Sequence, residues 1–126
     1  PQPKLLGMCG EINLCEMLMA INERIEYYYD REHSIGHAYF MNKRGSVKNL
    51  DELRNIFNTK IIPLLQEYFF DDYEKIKLIL NDDNSFIECI TPKYIKRYDT
   101  GQKLYRIGNP ANWNTEHFLN IYNCES

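Results

Sequence analysis

Between residues 11 and 31 the apolar positions Leu14, Met17, Leu18, Ile21, Ile25 and Tyr28 recur at steps of three and four. That spacing lines one face of a helix. The opposite face carries Glu16, Glu23, Glu26 and Asp30, so the predicted helix is acidic toward solvent, and Gly36 is the predicted place for it to have ended. A polar stretch, Asn42-Lys43-Arg44-Gly45-Ser46, then leads to Asn49 with Glu52 three positions on, a variant of the capping box. The helix it opens should bury Leu50, Leu53, Phe57 and Ile61. Pro63 lacks an N–H and clashes with the preceding turn, which predicts either a kink or a new helix over residues 63–70. Asp71 with Glu74 repeats the capping pattern ahead of a short helix over residues 73–80, buried through Ile76, Ile79 and Leu80.

After the turn Asn81-Asp82-Asp83-Asn84 the period changes. Residues 85–90 and 103–107 are short, aromatic or β-branched and alternating, the pattern of two antiparallel strands. Between them Thr91-Pro92 can open a short helical turn, and Asp99-Thr100-Gly101-Gln102 is a turn signal. Asn114 can cap a last helix over residues 115–122, with Phe118, Leu119 and Ile121 available for packing. No internal repeat or low-complexity tract interrupts this order. The expected fold is mainly α: a small helical bundle with a short antiparallel β pair and a C-terminal helix. Residues 1–80 are expected to form a helical subdomain, and residues 81–126 a small β-hairpin plus C-terminal helix packed on it.

The chain's 126 residues suit one compact unit, and 44% hydrophobic residues suffice for a modest core. A formal charge of −3 argues against a surface whose main affinity comes from covering phosphates. The four cysteines, Cys9, Cys15, Cys89 and Cys124, form no C-x-x-C pair and follow no secretory leader, so reduced thiols in a cytoplasm are expected. No apolar run approaches the roughly 20 residues that span a bilayer. The chain opens Pro1-Gln2-Pro3-Lys4 without an initiator methionine, as expected after processing or, as we favour, for a piece of a longer polypeptide.

The richest chemistry lies between residues 30 and 40. His33 and His37 stand four apart, a spacing that on an unbroken helix could hold zinc together with Asp30 or Glu26. Gly36 lies between them and breaks that geometry, so no metal site is expected. Two readings of the block remain open. Asp30, Arg31 and Glu32 can be a solvated helix end while His37, Tyr39 and Phe40 turn into the core; alternatively the glycine lets His37 and Arg31 face an anion such as a nucleotide phosphate. Consecutive helical residues point about 100° apart, so Tyr27, Tyr28 and Tyr29 are expected in core and rim packing rather than as one stacking platform. Tyr68, Phe69 and Phe70 are expected to be the apolar end of a helix. The acidic pairs Asp71-Asp72 and Asp82-Asp83 lack EF-hand spacing and are expected to cap. Lys93, Lys96 and Arg97 form the single basic cluster, expected to be a solvated face. No G-x-x-x-x-G-K-[ST], G-x-S-x-G or G-x-G-x-x-G occurs, so the chain carries no self-sufficient catalytic motif.

Two blocks together resemble the C-terminal part of the McrB-type AAA+ GTPases, the motor subunits of modified-cytosine-dependent restriction systems. One is the helix over residues 21–31 followed by His33-Ser34-Ile35-Gly36-His37-Ala38-Tyr39-Phe40-Met41. The other is Ile61-Ile62-Pro63-Leu64-Leu65-Gln66-Glu67-Tyr68-Phe69-Phe70-Asp71-Asp72 and its continuation to Ile76. The resemblance covers residues 12–80 well and the remainder loosely, through Phe86, Tyr105 and residues 113–122. It implies an AAA+ lid-like helical subdomain that follows a nucleotide-binding α/β core in the same polypeptide, with the Walker and arginine-finger segments upstream. It further implies GTP or ATP with magnesium in the parent, a hexameric ring, an McrC-type endonuclease partner, and DNA contact only through another domain. By itself the chain would not be catalytic. A lid helix in related motors presents a sensor residue to the phosphates, which makes His37 the first nucleotide-sensing candidate, with Arg31 and His33 as supporting polar groups. Gly36-His37-Ala38 stands where neighbouring families carry a small residue, proline and arginine. The competing expectation is a free-standing helical protein-interaction module with no nucleotide role.

Overall fold

The computed structural model describes residues 6–42, 45–95 and 103–123. Lys43 and Arg44 of the polar stretch, Lys96 and Arg97, the turn predicted at residues 99–102, and Cys124 lie outside the described residues. Two short strands, β1 (Met8–Cys9) and β2 (Ile12–Asn13), pair antiparallel ahead of the first helix, with Cys9 opposite Ile12. Gly10 turns between them at φ 59°, a left-handed conformation free of any Cβ penalty at glycine. Helix α1 (Leu14–Tyr28) starts where Asn13 accepts the Glu16 N–H at 3.0 Å, at the first apolar position of the stripe. Leu14, Met17, Leu18, Ile21 and Ile25 are buried as the stripe requires, whereas Tyr28 lies at the exposed rim. The helix also stops well before Gly36. Asp30 adopts extended backbone and its side chain caps a separate 3-10 turn, Arg31–His33.

A second 3-10 turn, His37–Phe40, is followed by strands β3 (Met41–Asn42) and β4 (Gly45–Ser46), an antiparallel pair where the sequence suggested only a linker. Helix α2 (Leu50–Ile56) opens at the predicted Asn49, whose side chain accepts the Glu52 N–H at 2.9 Å while Glu52 accepts the Lys48 N–H at 2.8 Å. A π turn, Phe57–Ile61, joins it without interruption to α3 (Ile62–Tyr68). Pro63 accounts for the turn: its ring would press on the carbonyl four residues back, and the wider π turn, closed by the Ile62 N–H on the Phe57 carbonyl, relieves that contact.

The rod ends in a Schellman turn, with the Asp71 N–H on the Gln66 carbonyl at 2.9 Å and Phe70 left-handed at φ 52°. Helix α4 (Tyr73–Leu80) occupies its predicted span, but its cap is Asp72, which accepts the Lys75 N–H, and not Asp71. Asp71 itself is left-handed at φ 59° and so has left the extended backbone that a cap requires. Asp82 then accepts the backbone N–H groups of Ser85, Phe86 and Ile87 at 2.8–3.0 Å and steers the chain into strand β5 (Ile87–Ile90). Strand β6 (Leu104–Ile107) pairs with it antiparallel, Ile87 opposite Ile107 and Ile90 opposite Leu104. Residues 91–95 contain no helical turn. Tyr94 and Ile95 are exposed, so a helix there would have no apolar face to bury.

Gly108 passes so close to β5 that an added Cβ would lie 2.1 Å from the Ser85 carbonyl oxygen. The same oxygen accepts the Trp113 indole N–H at 2.9 Å. Helix α5 (Thr115–Tyr122) starts at the predicted Asn114, whose N–H donates to His117 Nδ1 at 2.9 Å. It packs along α1, and the Tyr122 hydroxyl accepts the Asn13 N–H at 2.9 Å. At the centre, Phe57 from the π turn stacks on Phe86 at 5.5 Å and meets the edge of Phe118 at 4.9 Å, while Trp113 lies 5.1 Å from Phe86. Residues from both ends of the chain thus share one apolar core around α1. Among the described residues every buried side chain is hydrophobic. The architecture is a mainly α helical domain with short antiparallel strand pairs.

Candidate functional site

The segment after α1 is held by side-chain bonds to backbone rather than by continuous secondary structure. Asp30 Oδ1 accepts the His33 N–H at 2.9 Å and lies 2.6 Å from His33 Nδ1. His33 is stacked on Tyr29 at 4.3 Å and presents its edge to Tyr68 of α3 at 5.0 Å. The bond to His33, the largest of several causes, holds the Asp30 carboxyl below the ordinary carboxylate range. Tyr68, by contrast, has its phenol pushed up, first by burial and then by Tyr39, Glu67, Tyr29 and Asp30 around it.

Asn22, in the second half of α1, brackets the next residues. Its amide nitrogen donates to the Ile35 carbonyl at 2.9 Å and its oxygen accepts the Ile35 N–H at 2.6 Å. Ile35 is buried by this clamp, and Gly36 then hands the chain to the 3-10 turn that His37 opens and the fully buried Phe40 closes. His37 is half-buried, and its Nδ1 is enclosed without a hydrogen-bond partner. Tyr39 is half-buried against the core.

The three candidate residues therefore occupy different surroundings. Arg31 is 82% exposed and pairs with Glu26 at 3.6 Å. His33 sits between two tyrosines and a carboxylate. Among the described residues no hydrogen bond, ion pair or ring contact joins His37 to either of them. The sequence reading missed Asn22, the residue that fixes where His37 begins. An asparagine on the half-buried side of a helix was the available signal, but its partner is a backbone thirteen residues away.

Glu23, Arg24, Glu26, Tyr27 and Tyr28 line, among the described residues, a cavity of about 530 Å³ along α1. Tyr28 and Tyr29 lie at the rim, Tyr28 beneath Lys75, whereas Tyr27, 80% exposed, departs from the expected core and rim packing. Phe70 also departs from expectation, at 86% exposed, while Phe69 beside it is buried. Among the described residues no group of three or more His, Cys, Asp or Glu side chains stands where it could share a metal ion. Nor is any helix there long and apolar enough to cross a membrane. The thiols of Cys9, Cys15 and Cys89 are free, and burial pushes that of Cys9 up.

Residues 13–77, which hold α1, the clamped segment and the α2–α3 rod, match the family described as McrB, alpha-helical lid domain. The chain belongs to that family. The match covers just over half of the sequence and takes in α1, α2, the π turn, α3 and most of α4 of this McrB lid. All three candidate residues lie inside it. A comparison with curated proteins finds no match.

Proposed function

We propose that this McrB lid is the part of an AAA+ NTPase that follows the nucleotide-binding core, in a motor that drives an McrC-type endonuclease in modified-cytosine-dependent DNA restriction. The family match over residues 13–77 carries this reading. The parent would use GTP, or ATP, with magnesium, assemble as a hexameric ring, and touch DNA through another domain. The lid contains no phosphate-binding glycine loop, so the core would hold nucleotide and magnesium. The lid itself would not be catalytic. Its contribution is a hinge: contacts made only in the closed state bias the lid toward the core, and hydrolysis removes them.

Within the lid, His37 is the residue we assign to the nucleotide. Its half-buried ring opens a short turn pinned on both sides, by the Asn22 clamp before it and by Phe40 after it, which is how a positioned donor is held. Arg31 and His33 already face carboxylates and support the nucleotide reading less well. The test is GTP and ATP hydrolysis by the full-length polypeptide, with the 126-residue chain as control. Turnover by the parent alone is expected, and His37→Ala should lower it at least about tenfold, the loss of a hydrogen bond to a charged group, with little change in folding stability. Absence of turnover of either nucleotide, with or without an McrC-type endonuclease, would sink the motor reading. It would favour a free-standing interaction module, for which the exposed Tyr27 and Phe70 already speak.

A further inference from the structure

The end of the molecule that carries Arg31 and His33 is better suited to a cation than to a phosphate. Here the last turn of α1, the end of α3 and the start of α4 converge, through Tyr29 on Phe69 at 5.6 Å and Lys75 over Tyr28 at 5.9 Å. Residues 66–72 contain three carboxylates, Glu67, Asp71 and Asp72, and no lysine or arginine. All three are exposed. Across from them Glu26 and Asp30 already hold the one arginine and the one histidine of the adjoining turn. Two exposed aromatic residues adjoin these acids along the chain, Tyr27 after Glu26 and Phe70 before Asp71. Phe70 fills the left-handed position of a Schellman turn, where glycine or asparagine removes the steric cost, and its ring gains almost no burial in return. Local stability therefore gives no account of a phenylalanine at this position.

We propose that this end is a docking surface for a basic, arginine-bearing polypeptide segment of a partner protein, with guanidinium groups lying on Tyr27 and Phe70 and paired with Glu67 and Asp71. Charge complementarity selects the occupant, because an anion would meet net repulsion, whereas a guanidinium can pair with a carboxylate and stack on an aromatic face at once. The proposal stands apart from the nucleotide reading, which places its contact at His37. The two fail independently.

The test is an NMR titration of the 126-residue chain with a hexa-arginine peptide, and in parallel with hexa-lysine, at physiological salt. Shifts concentrated at residues 26–30 and 66–72, tighter binding of arginine than of lysine, and an affinity weakened about fivefold by Phe70→Gly are expected. Asp83→Asn, on the remote loop after α4, should leave the affinity unchanged. Because glycine suits the backbone at position 70, weaker binding by a fully folded Phe70→Gly chain isolates the ring. Shifts spread over every acidic surface, or equal binding by Phe70→Gly, would overturn the proposal. So would broadening of these same residues with protein concentration and no peptide, which would make the occupant a second copy of the chain.

Discussion

Helices α3 and α4 end in the same hydrogen-bonded turn, yet they fill its left-handed position in opposite ways. After α4 the residue is Asn81 at φ 49°, with the Asp82 N–H on the Lys77 carbonyl. Asparagine tolerates this conformation, and its amide also donates to the Asn120 carbonyl at 2.7 Å, tying α4 to α5. After α3 the residue is Phe70 at φ 52°, a bulky side chain in a region that costs non-glycine residues roughly 1–2 kcal/mol. Its ring stays in water. One end obeys the local rules and is knitted into the fold; the other breaks them without a packing gain. Such a breach is where a functional demand is expected to show.

The comparison is tested hardest at the well-built end. Gly108→Ala would drive a Cβ into the Ser85 carbonyl that Trp113 also uses, so a loss of about 3 kcal/mol is expected in urea unfolding. A near-neutral result would mean that β5 and the turn after β6 can part at little cost. Asp82→Ala strips the acceptor from three backbone N–H groups and should cost about 2–3 kcal/mol by the same measurement. The two left-handed positions should then respond with opposite signs to one replacement. Phe70→Gly is expected to raise stability by about 0.5–1 kcal/mol, the relief of the left-handed penalty less the added backbone entropy. Asn81→Gly should lower it by about 0.5–1 kcal/mol through the lost bond to Asn120. Destabilisation by Phe70→Gly would show that the ring packs after all and would close the gap between the two ends.

The smallest effect concerns pH at the exposed end. His33 lowers the folded-state pKa of Asp30 below its ordinary 3.8, so this pair contributes stability that is present above 3.8 and is lost as pH falls through the lower folded value. Asp30→Asn should therefore flatten the acid limb of Tm against pH below about 4, the ordinary carboxylate range. An unaltered acid limb would show that the Asp30–His33 contact contributes nothing to the fold in solution.

Much of the scaffold was legible in the chain because its signals are local. The apolar stripe of α1, the asparagine caps at positions 49 and 114, and the span of α4 depend on residues within a turn or two of one another. The misread boundaries were those decided by distant partners or by competition between neighbouring caps. Gly36 was a reasonable stop for α1, but Asp30 captured the backbone first, and Asp72 took the cap of α4 once Asp71 was committed to the Schellman turn. At the candidate site, the importance of His37 and Arg31 could be argued from residue type and from the resemblance to McrB motors. Their separation could not.

Periodicity and capping chemistry by themselves determined a mainly α domain, the positions of its helices and most of its core, because helical spacing and end satisfaction are short-range properties of the chain. The family likeness was also carried by linear blocks. Only the tertiary structure decided which residues of the segment after α1 share an environment. The Asn22 clamp on Ile35 and the convergence of Tyr29, His33 and Tyr68 close loops across thirteen to thirty-nine positions. It alone separated the half-buried His37 from Arg31 and His33, each paired with a carboxylate, and left Phe70 in solvent while Phe69 was buried. The physical reason is that burial and charge environment are set by what packs against a residue from elsewhere, and consecutive residues at a helix end are turned toward different neighbours.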